Sequence, residues 1–216
     1  MNMKRIGIIG SGIVAKTLGA GFIKHGYQVM LGTRSTEKLE EWNQSEGSEA
    51  RIGSFNDAAE FGNIVVLAVK GTVAKSALGL IEASNLNGKT VMDATNPIAD
   101  APIENGVLQF FTDQNGSLME SLQIMQPEAN FVKTFNSVGS ARMINPQFEV
   151  KPSMFICGNN EKAKKEVSEI VDQFGWETED MGAVEAARAI EPLCMLWCIP
   201  GFLHNQWTHA YKLLKS

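Results

Sequence analysis

A glycine-rich segment close to the amino terminus holds the first residues whose types and spacing suggest chemistry. Gly10, Ser11 and Gly12 stand between an apolar run and a helical pattern, with Ala15 three positions after Gly12. In this spacing Gly10 permits a tight turn, Gly12 lets an anion approach the backbone, and Ala15 allows close packing of helix on strand. The free N–H groups at the start of the helix then face the anion. We expect this turn to bind the pyrophosphate of a dinucleotide, rather than to be a turn without a ligand.

A cluster of cations and hydroxyls follows the second predicted strand. Thr33, Arg34 and Ser35 lie about where dinucleotide-binding domains carry a ribose-binding acid, and Lys38 follows one turn into the next predicted helix. An acid there would repel a 2′-phosphate, whereas a guanidinium offers a planar fork of donors that matches one. The cluster predicts NADP(H) over NAD(H), against the alternative of a surface arginine on a loop. A methyltransferase of similar topology would also need the missing acid.

Two asparagines follow the fifth and sixth predicted strands. Because a ligand lies across the carboxyl ends of the strands in an open parallel sheet, Asn96 and Asn136 are placed to bind the nicotinamide ribose and carboxamide. Either residue alone could equally be a turn former, since Asn-Pro and Asn-Ser are ordinary turn sequences. Their shared placement favours the binding role. Asp93, at a strand end, and Glu191 are either polar members of the pocket or structural residues.

No side chain stands out as a general acid or base. His25 follows the first predicted helix, at the end of the sheet away from the ligand, while His204 and His209 lie on an apolar, aromatic helical pattern. Cys194 and Cys198 are four residues apart, but no further metal ligands accompany them. We therefore expect neither a catalytic side chain nor a metal site.

The elements that must position these residues alternate between short β-branched runs and amphipathic helical patterns. The predicted strands are Ile6–Ile9, Tyr27–Leu31, Ala50–Ile52, Ile64–Ala68, Thr90–Met92, Phe131–Thr134, Ser153–Cys157 and Trp176–Glu179. The predicted helices are Ile13–His25, Glu37–Glu46, one from Ser54 to near Phe61, Val73–Ser84, one that starts at Ser117 and one after Asn159 and Asn160. This order predicts an α/β fold, a Rossmann-type, doubly wound, mainly parallel sheet with right-handed crossovers.

The last part of the chain has the pattern of a helical tail. From Val184 onward the pattern is helical, with predicted breaks at Pro192 and at Pro200–Gly201. We therefore divide the chain into an NADP-binding Rossmann domain, residues 1–181, and a C-terminal helical segment, residues 182–216. The charged residues of the preceding helix are interpreted as a solvated face: Lys162, Lys164, Lys165, Glu166 and Glu169.

The composition is that of an ordinary soluble chain. The 216 residues are 44% apolar and 20% charged, and the net charge of −5 gives no reason to expect a nucleic-acid or membrane partner. The longest stretch without Asp, Glu, Lys or Arg, Pro192–Tyr211, contains proline, glycine and polar residues, which argues against a transmembrane helix. Three cysteines without a framework spacing, and no secretion signal, predict reduced thiols and a cytoplasmic location.

Six segments occur in an order and spacing that resemble one known family. They are IGIIGSGIVAKTL, LGTRSTEK, DATNP, VKTFNSVG, FICGNNEKAKK and DMGAVEAARAIEPL. Over nearly its whole length the sequence resembles the NADP oxidoreductases that depend on coenzyme F420, a deazaflavin; similar domains occur in membrane ferric reductases, whose partner is a flavin. The resemblance implies direct hydride transfer between nicotinamide and deazaflavin, with no catalytic side chain.

The resemblance also implies roles for individual residues. It assigns the pyrophosphate to Ser11, Gly12, Ile13 and Val14, the 2′-phosphate to Thr33, Arg34 and Lys38, and the track from adenine to nicotinamide to Val69, Val73, Asn96 and Ser140. It further implies that the tail Glu191–Trp207 covers the nicotinamide and forms a wall for the second substrate. That substrate would be a small hydride donor or acceptor, such as coenzyme F420 or a flavin.

Two other functions fit part of the sequence. A β-hydroxyacid or imine reductase shares the N-terminal half, but would continue with a helical domain of on the order of a hundred residues, whereas 35 residues follow Met181. A non-catalytic NADPH-binding sensor would bind the nucleotide without turnover. The apolar tail, with Trp197, Phe202 and Trp207, exceeds what one sheet domain needs to cover itself, so we predict a homodimer formed through it.

Overall fold

The structure, a computed structural model, describes residues 4–215. Six parallel strands form one sheet in the order β3-β2-β1-β4-β5-β6. The strands are β1 Arg5–Ile9, β2 Gln28–Gly32, β3 Arg51–Gly53, β4 Ile64–Leu67, β5 Thr90–Asp93 and β6 Asn130–Lys133. The strand order reverses between β1 and β4, which is the switch point where ligands bind in sheets of this kind. The predicted α/β, doubly wound Rossmann fold is confirmed.

Helices cover both faces of this sheet. They are α1 Ile13–Lys24, α2 Glu37–Asn43, α3 Phe55–Phe61, α4 Gly71–Leu78, α5 Leu118–Met125, α6 Glu161–Gln173 and α7 Ala187–His204. Apolar side chains of α1, α2 and α6 pack on one face, and those of α3, α4, α5 and α7 pack on the other. β4 is buried along its whole length because both of its faces are covered.

The helices differ in whether a side chain caps their amino-terminal end. α3, α5 and α6 begin after Ser54, Ser117 and Asn160, and each of these side chains accepts a hydrogen bond from a backbone N–H of the first turn. α1 and α4 begin after Gly12 and Lys70, and no side chain caps either helix. The first N–H groups of α1 and α4 are therefore available to water or to a ligand.

One predicted helix is shorter than its periodicity suggests. The pattern predicts a helix over Val73–Ser84, but α4 ends at Leu78. Gly79 follows, and glycine has low helix propensity. The chain then bonds to α3 instead of continuing the helix, since the Glu82 N–H donates to Asn56 Oδ1 at 2.9 Å.

The last two strands stand apart from the main sheet. β7 Ser153–Ile156 and β8 Glu177–Asp180 form a separate, parallel two-stranded sheet, which corrects the expectation that they extend the main one. Cys157, the residue after β7, forms an isolated antiparallel bridge with Lys133 at the end of β6. Between these strands the chain turns at Phe135, which is buried and has a φ of 55°. Non-glycine residues seldom adopt that left-handed value, so the turn is held by its surroundings.

Lys164 is buried, which corrects the interpretation of all charged residues of α6 as a solvated face. Its Nζ lies 2.8 Å from Glu161 Oε1 and 2.9 Å from Asp180 Oδ2. Hydrogen bonds to Asp180 and Glu161 raise the pKa of Lys164. The ion pair with Asp180 joins α6 to the end of β8.

α7 runs without a break through Pro192 and Pro200, which corrects both predicted breaks. A proline inside a helix costs about 3 kcal/mol. Burial of one side of α7 offsets this cost, and the buried residues are Ala187, Ile190, Glu191, Cys194, Trp197 and Gly201. The predicted division between residues 181 and 182 stays a prediction.

By length and apolar composition alone, Val184–His204 is able to cross a membrane. A third of its most apolar stretch (33%) is buried within the fold. Core helices of soluble proteins have the same length and composition.

The residues after α7 fold back over it. The Trp197 indole N–H donates to the His209 carbonyl at 2.9 Å, and the two rings stack with centroids 4.9 Å apart. Trp207 packs beside Trp197 at 5.7 Å, and the Tyr211 hydroxyl donates to the Leu193 carbonyl at 3.0 Å. These contacts bury Trp197 within the chain.

Candidate functional site

The glycine turn has the geometry that an anion site requires. Gly10 has a φ of 143°, and a Cβ at this position would lie 2.3 Å from the Ala68 carbonyl oxygen, so a larger residue does not fit. A Cβ at Gly12 would meet no atom within 4 Å, which leaves the space beside the backbone open to a ligand. The first turn of α1 contains no acidic residue. The turn can therefore accept a phosphate close to its backbone N–H groups.

A cavity of about 250 Å³ extends from this turn toward the end of β2. Its lining contains predicted phosphate-binding residues together with Val69 and Val73, which were predicted to lie between adenine and nicotinamide. The lining residues are Gly10, Ser11, Gly12, Thr33, Arg34, Ser35, Lys38, Phe55, Ala68, Val69, Lys70 and Val73. Residues far apart in the sequence meet here because β1, β2 and β4 are neighbours whose carboxyl ends share one edge.

The cationic end of this cavity carries two exposed side chains, Arg34 and Lys38. Within residues 4–215 neither of them forms a salt bridge. The Thr33 hydroxyl is held locally, because it accepts from the Ser35 N–H at 3.1 Å and donates to the Ser35 carbonyl at 2.8 Å. The Ser35 hydroxyl donates to the Glu37 carboxylate, which lowers the pKa of Glu37. The two cations are thus the groups that can bind a phosphate without breaking a hydrogen bond.

A smaller cavity of about 140 Å³ adjoins Arg34. Its lining residues are Arg34, Phe55, Val69, Val73, Ser76, Ala77 and Leu80. An apolar slot beside a guanidinium is suited to a flat aromatic ring such as adenine. Four of these residues were not predicted from the sequence: Phe55, Ser76, Ala77 and Leu80. The signal for Phe55 is its position at the first residue of α3, directly after β3 at the ligand edge of the sheet.

On the other side of the glycine turn lies a cleft of about 430 Å³. It is lined by Gly12, Ile13, Val14, Ala68, Val69, Lys70, Gly71, Ala94, Asn96, Ile98 and Asp100. The cleft shares Gly12, Ala68, Val69 and Lys70 with the phosphate cavity, so the two adjoin at these residues. Its walls are mainly aliphatic, with Asn96 as the one neutral polar side chain among the lining residues. Such a surface suits a planar ring held near a carboxamide-binding group.

The two predicted asparagines form a pair. Asn96 Nδ2 donates to the Asn136 carbonyl at 2.7 Å, and Asn136 Nδ2 donates to Asn96 Oδ1 at 3.2 Å and to the Ile190 carbonyl at 2.9 Å. Asn96 lines the cleft, whereas Asn136 is buried behind it and positions it. Ser140 begins a short turn that contacts α1 and lies outside the linings described above. Ligand contacts for Asn136 and Ser140 stay predictions.

A buried ionic cluster, which sequence reasoning missed, lies where β5 and β6 end. Lys133 is fully buried, and its Nζ lies 2.7 Å from Asp93 Oδ2, 2.9 Å from Glu191 Oε1 and 2.9 Å from the Thr95 carbonyl. Burial alone would lower the pKa of Lys133, but the charges of Asp93 and Glu191 outweigh burial and raise it. The sequence left two options for Asp93 and Glu191, a place in the pocket or a structural role. The structure shows the structural role. The available signal was a lysine inside an otherwise apolar strand.

The same cluster attaches α7 to the rest of the fold. Glu191, on α7, accepts the backbone N–H of Leu118 through Oε2 and that of Met119 through Oε1, both at 3.0 Å. A carboxylate at the first turn of α5 also interacts favourably with the helix dipole. The residues that line the cleft lie between Gly12 and Asp100, so the predicted role of Glu191–Trp207 as a wall for the second substrate stays a prediction.

The remaining reactive side chains lie apart from the cleft lining. Burial raises the pKa of the Cys157 thiol to about 12. Cys194 is buried and Cys198 is half-buried. Among the described residues, no group of three or more His, Cys, Asp or Glu side chains is arranged to hold a metal ion.

A family model described as "NADP oxidoreductase coenzyme F420-dependent" matches residues 5–97, from β1 to the proline that follows Asn96. The F420-dependent NADP reductase of Methanocaldococcus jannaschii is 30% identical over 179 residues, which cover 78% of this chain and 79% of that protein. The metalloreductase STEAP3 of Rattus norvegicus is 27% identical over 203 residues, which cover 92% of this chain and 39% of that protein. The chain therefore spans about two fifths of the metalloreductase's length.

Solved structures share the whole fold. A candidate F420-dependent NADP reductase from Arthrobacter sp. FB24 superposes with a TM-score of 0.91 at 26% identity and covers 99% of this chain and 100% of that one. A reductive aminase from Aspergillus terreus in complex with NADPH has a TM-score of 0.69 at 12% identity, and covers 94% of this chain and 64% of that one, a likeness of fold alone. With the match to the archaeal reductase over most of both lengths, these findings show that the chain belongs to the family of coenzyme F420-dependent NADP oxidoreductases.

Proposed function

We propose that this protein transfers a hydride between the nicotinamide of NADP(H) and a deazaflavin, a flavin or a similar acceptor. The observation that supports this proposal most directly is that two cavities adjoin at the glycine turn and share lining residues there. A cationic cavity with Arg34 and Lys38 joins, at the glycine turn, an aliphatic cleft that contains Asn96. One extended ligand with a phosphate at one end and a flat ring at the other fits that arrangement.

The proposed cofactor fits the residues present at each end. Arg34 and Lys38 would bind the 2′-phosphate, the uncapped first turn of α1 would bind the pyrophosphate, and Asn96, oriented by Asn136, would bind the nicotinamide carboxamide or ribose. Bound NADPH supplies a hydride from the nicotinamide ring.

The protein's part in the reaction is to bind, align and exclude water. Hydride transfer between two aligned rings requires close approach rather than an acid–base side chain. Ile13, Val14 and Ile98 give the cleft aliphatic walls, which hold flat rings and keep water from the transferring hydride. No titratable side chain is needed at the reacting atoms in this mechanism.

A steady-state assay tests this function. NADPH oxidation is followed at its absorbance maximum with coenzyme F420, FMN, riboflavin, a quinone and a cyclic imine as separate second substrates. We expect turnover with the deazaflavin or a flavin and none with the imine. NADPH binding without turnover on any acceptor would instead identify a nucleotide sensor, and turnover only with the imine would identify an imine reductase.

A further inference from the structure

Two opposite charges lie at the mouth of the cleft. Among the residues that line it, Lys70 is the single cation and Asp100 the single anion. Lys70 Nζ lies 3.9 Å from Asp100 Oδ1, and the two side chains are 81% and 75% exposed. Lys70 directly precedes α4 and Asp100 belongs to the connection after β5, so the pair links two separate segments across the opening.

This ion pair is weak enough to be exchanged. Exposed pairs contribute little to stability, because both charges remain hydrated and both side chains lose freedom. A phosphate dianion offers an ammonium group more charge and more acceptor oxygens than a carboxylate does. A ligand that brings a phosphate to the mouth of the cleft can therefore displace Asp100 from Lys70 at little cost.

The backbone of Lys70 is fixed while its side chain is free. The Lys70 carbonyl accepts the Val73 N–H at 3.1 Å as the first hydrogen bond of α4. The Cα therefore stays at the rim of the cleft, and the flexible side chain can follow a charged group that projects from a ring inside the cleft.

We propose that Lys70 determines acceptor specificity by binding a phosphate carried on the side chain of the acceptor, in exchange for Asp100. This inference rests on the proposed function, which places the acceptor ring in the cleft. It predicts a preference for isoalloxazine or deazaisoalloxazine acceptors that carry a phosphate over the same ring without one.

FMN and riboflavin test the proposal, because they share one ring system and differ in the phosphate. Dissociation constants for both are measured by quenching of flavin fluorescence on the protein saturated with NADP⁺, so the comparison does not depend on turnover. We expect wild type to bind FMN about twofold to fivefold more tightly than riboflavin, the range set by one exposed charge pair. Lys70→Met should abolish the preference and leave riboflavin binding unchanged, whereas Asp100→Asn should increase it.

Lys75→Met, on α4 but outside the cleft lining, is the matched control and should keep the wild-type preference. Inorganic phosphate should weaken the binding of FMN but not that of riboflavin. Equal affinity of wild type for the two flavins, or no binding of either, would overturn the proposal. A Lys70→Met variant that loses NADP⁺ affinity but keeps its preference for FMN would also overturn the proposal, since Lys70 would then bind the nucleotide. Binding with the expected preference but without NADPH oxidation would contradict the proposed function and leave the role of Lys70 supported.

Discussion

At the scale of single residues, the position of Arg34 could be predicted from the sequence because it follows a strand at a fixed distance from the glycine turn. Strand ends and turns are local features, and the cation there needs no tertiary information. The state of the neighbouring hydroxyls could not be predicted in this way. Thr33 and Ser35 are held by hydrogen bonds within the turn and to Glu37, which depend on the folded backbone.

Replacement of Arg34 tests the cofactor assignment. In Arg34→Ala, NADPH should bind about tenfold to a hundredfold more weakly, because a charge-assisted hydrogen bond contributes about 1.5–3 kcal/mol. NADH, which lacks the 2′-phosphate, should bind as before. Titrations followed by nucleotide fluorescence measure both values, with Lys24→Ala at the far end of α1 as a control. Equal losses for both nucleotides would contradict a 2′-phosphate contact.

The three thiols should differ in reactivity. A hydrogen bond from Cys194 lowers the pKa of the half-buried Cys198, whereas burial raises the pKa of Cys157 to about 12. Because the thiolate is the nucleophile, iodoacetamide at about pH 8 should label Cys198 first. Peptide mass spectrometry identifies the site, and Cys198→Ser should remove the fast phase. Rapid labelling of Cys157 in the native protein would contradict the structure.

At the scale of elements, α6 could be predicted from the periodicity of its one buried face, and β4 from its unbroken apolar run. Periodicity was insufficient for α7, since its two prolines predict breaks by local chemistry alone. Tertiary packing of one buried side holds the helix together instead. The pairing of β7 with β8 could not be predicted either, because strand pairing depends on the tertiary fold.

Removal of the buried ammonium should destabilise the fold strongly. Lys133→Met leaves Asp93 and Glu191 buried without their cation, so we expect a loss of about 3–5 kcal/mol in the free energy of unfolding. Urea denaturation measures this loss. Lys162→Met, on the exposed part of α6, should change stability by less than about 0.5 kcal/mol. A loss at Lys133 as small as that of the control would show that the cluster is not ionised as described.

The same cluster predicts a dependence on alkaline pH. The folded-state pKa of Lys133 is raised above its ordinary value. Its stabilisation is therefore complete below the unfolded pKa of about 10.4 and is lost as the pH rises through the folded pKa. The difference in unfolding free energy between wild type and Lys133→Met should be constant from about pH 7 to 9.5 and should decrease above that range. A difference that already falls between those values would contradict the sign of the shift.

At the scale of the whole molecule, the positions of the apolar side chains indicate which residues would form the contact of the predicted homodimer. Trp197 and Trp207 pack within the chain, whereas Leu196, Phe202 and Leu203 on the last turns of α7 are exposed. We therefore expect the dimer contact to use these three residues rather than the tryptophans. Light scattering at micromolar concentration should give twice the chain mass, and Leu203→Asp should give monomers. Ile124→Asp, at an exposed site on α5 outside the cleft and the two cavities beside it, is the control, and a monomeric wild type would contradict the prediction.

In the proposed reaction, a hydride passes directly from the nicotinamide to the acceptor bound in the cleft. The most direct measurement uses NADPH deuterated at C4, on either face in turn, with coenzyme F420 as acceptor and mass spectrometry of the reduced deazaflavin. Direct transfer predicts that deuterium from one of the two faces is retained on carbon in the product, because a carbon-bound hydrogen does not exchange with water. An unlabelled reduced deazaflavin from both labelled forms, or nucleotide binding without reduction, would contradict the account.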